Sequence, residues 1–104
     1  MNREGNPEYL KLLDEMKEMH LAKSAGYAGD NPDHWANFRM STMLGITPFK
    51  GCLVRMSDKF IRICNLTSNP NNDKVGESIM DTLLDLAVYS LIAICLYREG
   101  RDRE

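Results

Sequence analysis

The sequence contains none of the short signatures that mark common enzymes. There is no P-loop, no G-x-G-x-x-G, no G-x-S-x-G and no H-E-x-x-H. The three cysteines, Cys52, Cys64 and Cys95, include no C-x-x-C pair and no histidine at zinc-ligand spacing. None has a histidine partner or a helix-start position, so a cysteine nucleophile is not expected. Each lies in an apolar helical stretch, which predicts buried free thiols and suits a reducing cytoplasm. Basic residues are not in excess. Lys and Arg number 13 against 15 Asp and Glu, for a net charge of −2 and a pI of about 5.7. Direct DNA or RNA binding is therefore not expected, and any anion site must be local. The longest apolar run, Leu86 to Tyr97, has 12 residues, short of a membrane span. The opening MNREGNPEYL has no apolar core of a signal peptide. No segment alternates at period two, so no sheet is expected.

What is present reads as helix. A chain of 104 residues with 43% hydrophobic content predicts a single all-α domain, a compact bundle of about four helices. The predicted helices are 7–24, 32–44, 48–66 and 75–98, with 99–104 a solvated charged tail. Asn6 and Pro7, Asn31 and Pro32, and Thr47 and Pro48 each pair a capping residue with a proline at the first helical position. The loop GYAGDN follows the first helix, Gly45 ends the second, and TSNPNND separates the third from the fourth. The second half of the fourth helix is apolar on nearly all sides. Three neighbours in so small a chain would struggle to cover it, so a homo-oligomer is expected.

Polar residues on the last two helices carry the chemistry. Glu77, Asp81, Asp85 and Tyr89 recur every fourth residue, which places three carboxylates and a phenol on one face of an otherwise apolar helix. Buried carboxylates need a cation, a donor or a metal. Arg55, Asp58, Arg62 and Asn65 form a polar stripe on the preceding helix, with Lys59 at its edge. Antiparallel packing would bring Lys59 and Arg62 to Asp81 and Asp85. One reading is a structural salt-bridge network. The other is a pocket in which Lys and Arg hold phosphates and Glu77, Asp81 and Asp85 hold Mg²⁺.

A second group lies earlier in the chain. His20, Lys23 and Tyr27 step by three and four, so a persistent helix carries them on one face. A nucleotide base could stack on Tyr27 or Trp35, with Lys23 reaching phosphate. The alternative is an ordinary helix C-terminus, where cations suit the dipole. His34 reads as a surface residue. Phe38 reads as core, and Asn37 beside it either contacts a base edge or stabilises the turn.

KSAGYAGDNPDHWANFR, LGITPFKGCLVRMSDKFIRICNL and ESIMDTLLDLAVYSLIAICL, in that order, resemble the small all-helical phage family called nucleotide modification associated domain 1. The resemblance spans about Leu13 to Glu99. The acidic helices are also similar to those of MazG-like all-α nucleotide pyrophosphohydrolases, without the glutamate-rich first-helix motif. The matched positions are Lys23, Tyr27, Asn37, Phe38, Arg55, Asp58, Lys59, Arg62, Asn65, Asp81, Asp85 and Tyr89. Three positions depart. The family commonly has acidic residues where this chain has Gly26 and Met80, and an asparagine where it has Val88. Each change removes a polar ligand and weighs against metal-dependent catalysis. The resemblance implies a role in phage nucleotide metabolism or modification, in the cytoplasm of an infected bacterium.

Three functions are expected from these features. The first is a nucleotide-processing enzyme, with Mg²⁺ on Asp81, Asp85 and Glu77, Asp58 orienting water, and Lys59 and Arg62 stabilising charge. The second is a non-catalytic protein that sequesters a nucleotide or cyclic-nucleotide immune signal. There Asp58, Asp81 and Asp85 position the arginines and lysines rather than hold metal. In either case the ligand is held by Lys23, Tyr27, Trp35, Asn37, Arg55, Lys59, Arg62, Asn65 and Tyr89. The third is a structural adaptor that presents an apolar helix face to a partner.

Overall fold

The computed structural model describes the backbone of residues 4–28, 35–69 and 78–102, and their side chains except at 24–28, 36, 37, 78, 101 and 102. Every regular element among them is helical: α1 (Pro7–Ala28), α2 (Ala36–Arg39), a 3₁₀ segment (Met40–Leu44), α3 (Pro48–Ser68) and α4 (Ser78–Asp102). The protein is thus all-α. It divides into two compact units, 1–37 and 38–104.

In the first unit, α1 starts where its cap predicts. The Asn6 side-chain oxygen accepts the Tyr9 amide at 3.0 Å, which satisfies one free N–H of the first turn. The helix continues past Ser24 through Gly26 to Ala28, so GYA belongs to helix rather than to the expected loop. A glycine inside a helix costs only about 1 kcal/mol relative to alanine, and the flanking alanines favour helix.

The predicted single helix over 32–44 is corrected. Residues 31–34 lie outside those described, and residues 36–44 form one α turn and then 3₁₀ helix. Two hydroxyls account for the tightening. The Thr42 hydroxyl donates to the Arg39 carbonyl at 2.7 Å, and the Ser41 hydroxyl lies 2.9 Å from that of Phe38. Such local bonds compete with the α-helical ladder. Gly45, at φ 75°, ends the segment in the left-handed region.

The expected Thr47–Pro48 start of α3 is present, with the Thr47 hydroxyl accepting the Lys50 amide at 3.2 Å. The 3₁₀ segment packs on the first turns of α3, and α3 packs along α4. Gly51 permits the first of these contacts. A β-carbon there would meet the Ser41 side chain at 2.9 Å, closer than carbon atoms approach. Gly51→Ala is expected to destabilise the protein by about 1–3 kcal/mol through overpacking, read as a lower urea midpoint with an unchanged slope.

The core of the second unit is thin. Phe38, Cys52, Leu66, Val88, Ile92, Ala93 and Leu96 are the buried apolar side chains among the described residues. As expected for so apolar a helix in so small a chain, α4 is not covered all round: Leu83, Leu91, Ile94 and Tyr97 are each about half exposed. One expectation about α4 is corrected. Residues 99–104 are not all tail, because α4 runs to Asp102 and the Arg39 guanidinium donates to both Glu99 carboxylate oxygens at 3.0 and 3.1 Å. Ile79–Gly100 is long and apolar enough to cross a membrane by length and composition alone. A core helix of a soluble protein passes the same test.

Candidate functional site

The α3–α4 hairpin has a polar edge, built from residues the sequence singled out. On α4 the stripe Asp85, Tyr89, Ile92, Leu96 and Glu99 steps by three and four and faces α3. On α3 the opposing stripe is Cys52, Met56, Lys59, Ile63 and Leu66. Where the two meet, the Lys59 ammonium donates to Asp85 Oδ2 at 3.1 Å. The side chains retain 31% and 18% of their exposure, so the pair is part-buried and worth on the order of 1 kcal/mol. The expected antiparallel pairing of α3 with α4 thus joins Lys59 to Asp85.

The structure brings a second set together. The Arg55 guanidinium stands 4.9 Å from the centroid of the Phe38 ring, a cation–π contact. Phe38 meets Tyr89 edge-on, with centroids 6.1 Å apart and planes at 79°. The Tyr89 carbonyl accepts the Cys52 thiol at 3.4 Å. Arg55, Phe38, Tyr89 and Cys52 therefore form one connected group beside the Lys59–Asp85 pair.

The other polar residues stay open. Asp58, Arg62, Asn65 and Asp81 are exposed. Among the described residues, the side chains of Asp58, Arg62, Asn65 and Asp81 make no hydrogen bond or ion pair. Arg62 is therefore a full positive charge on the stripe with no intramolecular partner among them. Asp81 lies in the first turn of α4, where a carboxylate stabilises the helix dipole whatever else it does. Glu77 lies outside the described residues. Among those described, no three His, Cys, Asp or Glu side chains converge as a metal site would require.

In the first unit, the His20 and Trp35 rings lie 6.0 Å apart and tilted by 35°. The backbone of α1 extends through residue 27, so His20, Lys23 and Tyr27 fall on one helical face. Lys23 and Trp35 are both half-buried and engaged with partners. The side chains of Tyr27 and Asn37 lie outside those described.

The expectation of three buried thiols is corrected. Cys52 is fully buried, while Cys64 and Cys95 are exposed, because their helical phases turn them off the α3–α4 contact stripes. Burial pushes the Cys52 thiol above the ordinary range, and the nearby Arg55 charge offsets this only in part. Two results are expected. A thiol reagent at mildly alkaline pH labels Cys64 and Cys95 first and Cys52 at least about tenfold more slowly. Stability also declines as pH rises beyond the ordinary thiol range, since the unfolded chain releases its Cys52 proton before the folded one does.

Sequence reasoning missed the Arg39–Glu99 pair. Glu99 continues the α4 contact stripe three residues beyond Leu96, and that phase could have revealed it.

No protein-family model matches the chain, and no curated protein or solved structure matches it.

Proposed function

We propose that the protein binds a nucleotide, gripping its phosphates with the cations of α3. The observation that carries this reading is Arg62, exposed and without an intramolecular partner among the described residues, on the same stripe as Arg55 and one turn from Asp58. A planar guanidinium in that position suits bidentate contact with phosphate oxygens. Asn65 adds a neutral donor one turn on, and the Lys59–Asp85 pair anchors the edge.

Whether the ligand is cleaved or held intact turns on the carboxylates. In the enzyme reading, Asp81, Asp85 and Glu77 would hold Mg²⁺, which would supply Lewis-acid activation of water, and Asp58 would orient that water. The salt bridge from Lys59 to Asp85 Oδ2 at 3.1 Å favours the second reading, sequestration without chemistry, since Asp85 already has a cation. The resemblance in the sequence supports a phage setting, in the cytoplasm of an infected cell. The working form is a homo-oligomer, a reading supported by the apolar side chains exposed on α4. Calorimetric titration with a panel of linear and cyclic nucleotides, in EDTA and in Mg²⁺, tests the proposal. Binding in EDTA supports the metal-free grip. Heat with no nucleotide in either buffer removes the proposal and leaves the adaptor reading.

A further inference from the structure

We propose that a second copy of this chain packs on one face of the α3–α4 hairpin, the face opposite its polar edge, and completes an antiparallel four-helix bundle. The face is defined by matching seams on the two helices. On α3 the seam is Phe49, Leu53, Met56, Phe60, Ile63 and Thr67, with Met56 and Ile63 at its border with the stripe that faces α4. On α4 it is Ile79, Leu83, Leu86, Ser90, Ala93 and Tyr97. Both step four, three, four, three, four, the spacing that keeps a stripe facing a partner helix in a bundle. No charged residue occupies any of these positions.

The two seams lie on the same side of the hairpin. At about 100° per residue, each is rotated by roughly 60–120° from its own contact stripe, in the sense that antiparallel helices turn to a common face. The Phe49 and Tyr97 rings confirm it, meeting across the helices at 5.2 Å. An apolar cavity of about 360 Å³ opens beside them, lined by Phe49, Ala93, Ile94, Tyr97 and Arg98. The polar stripe of α3, with Arg55, Asp58 and Arg62, has the opposite phase.

Three features mark this face for burial by protein. The first is its exposure: Leu53 at 41%, Phe60 at 59%, Leu83 at 49% and Tyr97 at 50%. At ~150–250 Å² for a whole aromatic side chain, Phe60 and Tyr97 alone leave roughly 200 Å² open, and the other exposed and half-buried seam members bring the face toward the ~800 Å² per partner that stable dimers bury. The second is its two aliphatic hydroxyls, which already have partners in their own helices. Ser90 donates to the Leu86 carbonyl at 2.9 Å, and the Thr67 hydroxyl lies 3.0 Å from those of Ile63 and Cys64. Burying them strands no donor. The third is the thin core of the hairpin. A unit of this size rarely holds a stable fold by one small core and commonly gains the remainder by association.

A second copy fits better than a bilayer. Lipid would surround α4 on every side, including Asp81 and Asp85, whereas a partner hairpin covers only the uncharged face. The seam also continues onto α3, which is not a membrane helix by composition.

Sedimentation of the full chain over a dilution series, without nucleotide, tests this, with Phe60→Glu on the seam and Val54→Glu off it. Val54 is 55% exposed and equally apolar, but its phase points away from the face. The expected result is a wild-type dimer at micromolar concentration. Phe60→Glu should raise the dissociation constant by at least about a hundredfold, since the interface would bury two unpaired carboxylates. Val54→Glu should leave it within about threefold. A wild type that stays monomeric at the highest concentration overturns the proposal. So does equal loss in both variants, or association seen only with lipid vesicles. Should Phe60→Glu unfold, hydroxyl-radical footprinting of the wild type decides. Phe60 and Tyr97 must be protected at high concentration and labelled on dilution, while Met43, 77% exposed, is labelled throughout.

Discussion

Arg62→Glu is expected to weaken nucleotide binding by about a hundredfold or more without lowering helix content or melting temperature. The size reflects the kind of contact proposed. Replacing a guanidinium on a bound phosphate by a carboxylate removes a charge-assisted contact and adds like-charge repulsion, together about 3 kcal/mol, and every 1.4 kcal/mol is about tenfold. The unchanged fold is a consequence of the structure. Arg62 is exposed and makes no intramolecular bond among the described residues, so folding does not use it. Arg62→Lys keeps the charge and loses the planar fork, and should fall between wild type and Arg62→Glu. Asp81→Asn separates the two readings of the site. It leaves metal-free binding within a few-fold, and it abolishes product formation if Asp81 carries Mg²⁺. Titration of all three variants with the same nucleotide checks the set.

Ile92→Ala is expected to cost about 2–5 kcal/mol, the range for truncating a fully packed aliphatic side chain. Ile92 is 3% exposed, near the middle of the α4 stripe that faces α3. Few other side chains share its burial in this unit, and a small domain has only a modest stability to lose. The variant should unfold at a much lower urea concentration. Ile61→Ala is the control. Ile61 is 56% exposed, off the contact stripe and off the proposed dimer seam, and its truncation should change stability by about 0.5 kcal/mol or less.

These two positions show what the sequence makes legible. The apolar period of α3 and the cap residues Asn6 and Thr47 locate helices because each reflects a local rule, one amide or one face at a time. The Lys59–Asp85 contact was within reach for a similar reason: two polar residues interrupt apolar stripes that must face each other. The second helix was not legible. Its apolar residues Phe38 and Leu44 are spaced as in a helix, but Ser41 and Thr42 return their hydroxyls to nearby carbonyls and tighten the chain. Local hydrogen bonding outweighed the apolar period there. The thiols show another limit. Cys64 and Cys95 lie in apolar company along the sequence, yet a rotation of about 100° per residue turns them out of the hairpin contact. Neighbours in sequence do not decide burial; phase does.

The candidate site was legible as a set of residue types rather than as an arrangement. Asp81 and Asp85 looked equivalent, one turn apart on the same face. The fold makes them different: Asp85 is held by Lys59, and Asp81 stays open in the first turn of α4. That difference depends on how far α3 extends alongside α4, which no spacing within one helix records. The contact of Arg55 with Phe38 likewise depends on the 3₁₀ segment packing back on α3, a consequence of Gly51 and Ser41 meeting closely.

A capture experiment decides whether the α3 cations grip a nucleotide. The wild type and Arg62→Glu are incubated with a mixed panel of linear and cyclic nucleotides in EDTA. Protein is separated, heated to release what it holds, and both fractions are chromatographed. The expected outcome is one nucleotide depleted from solution by the wild type, recovered intact on heating, and left in solution by Arg62→Glu. Equal capture by both proteins, or capture of nothing by either, would overturn the nucleotide grip.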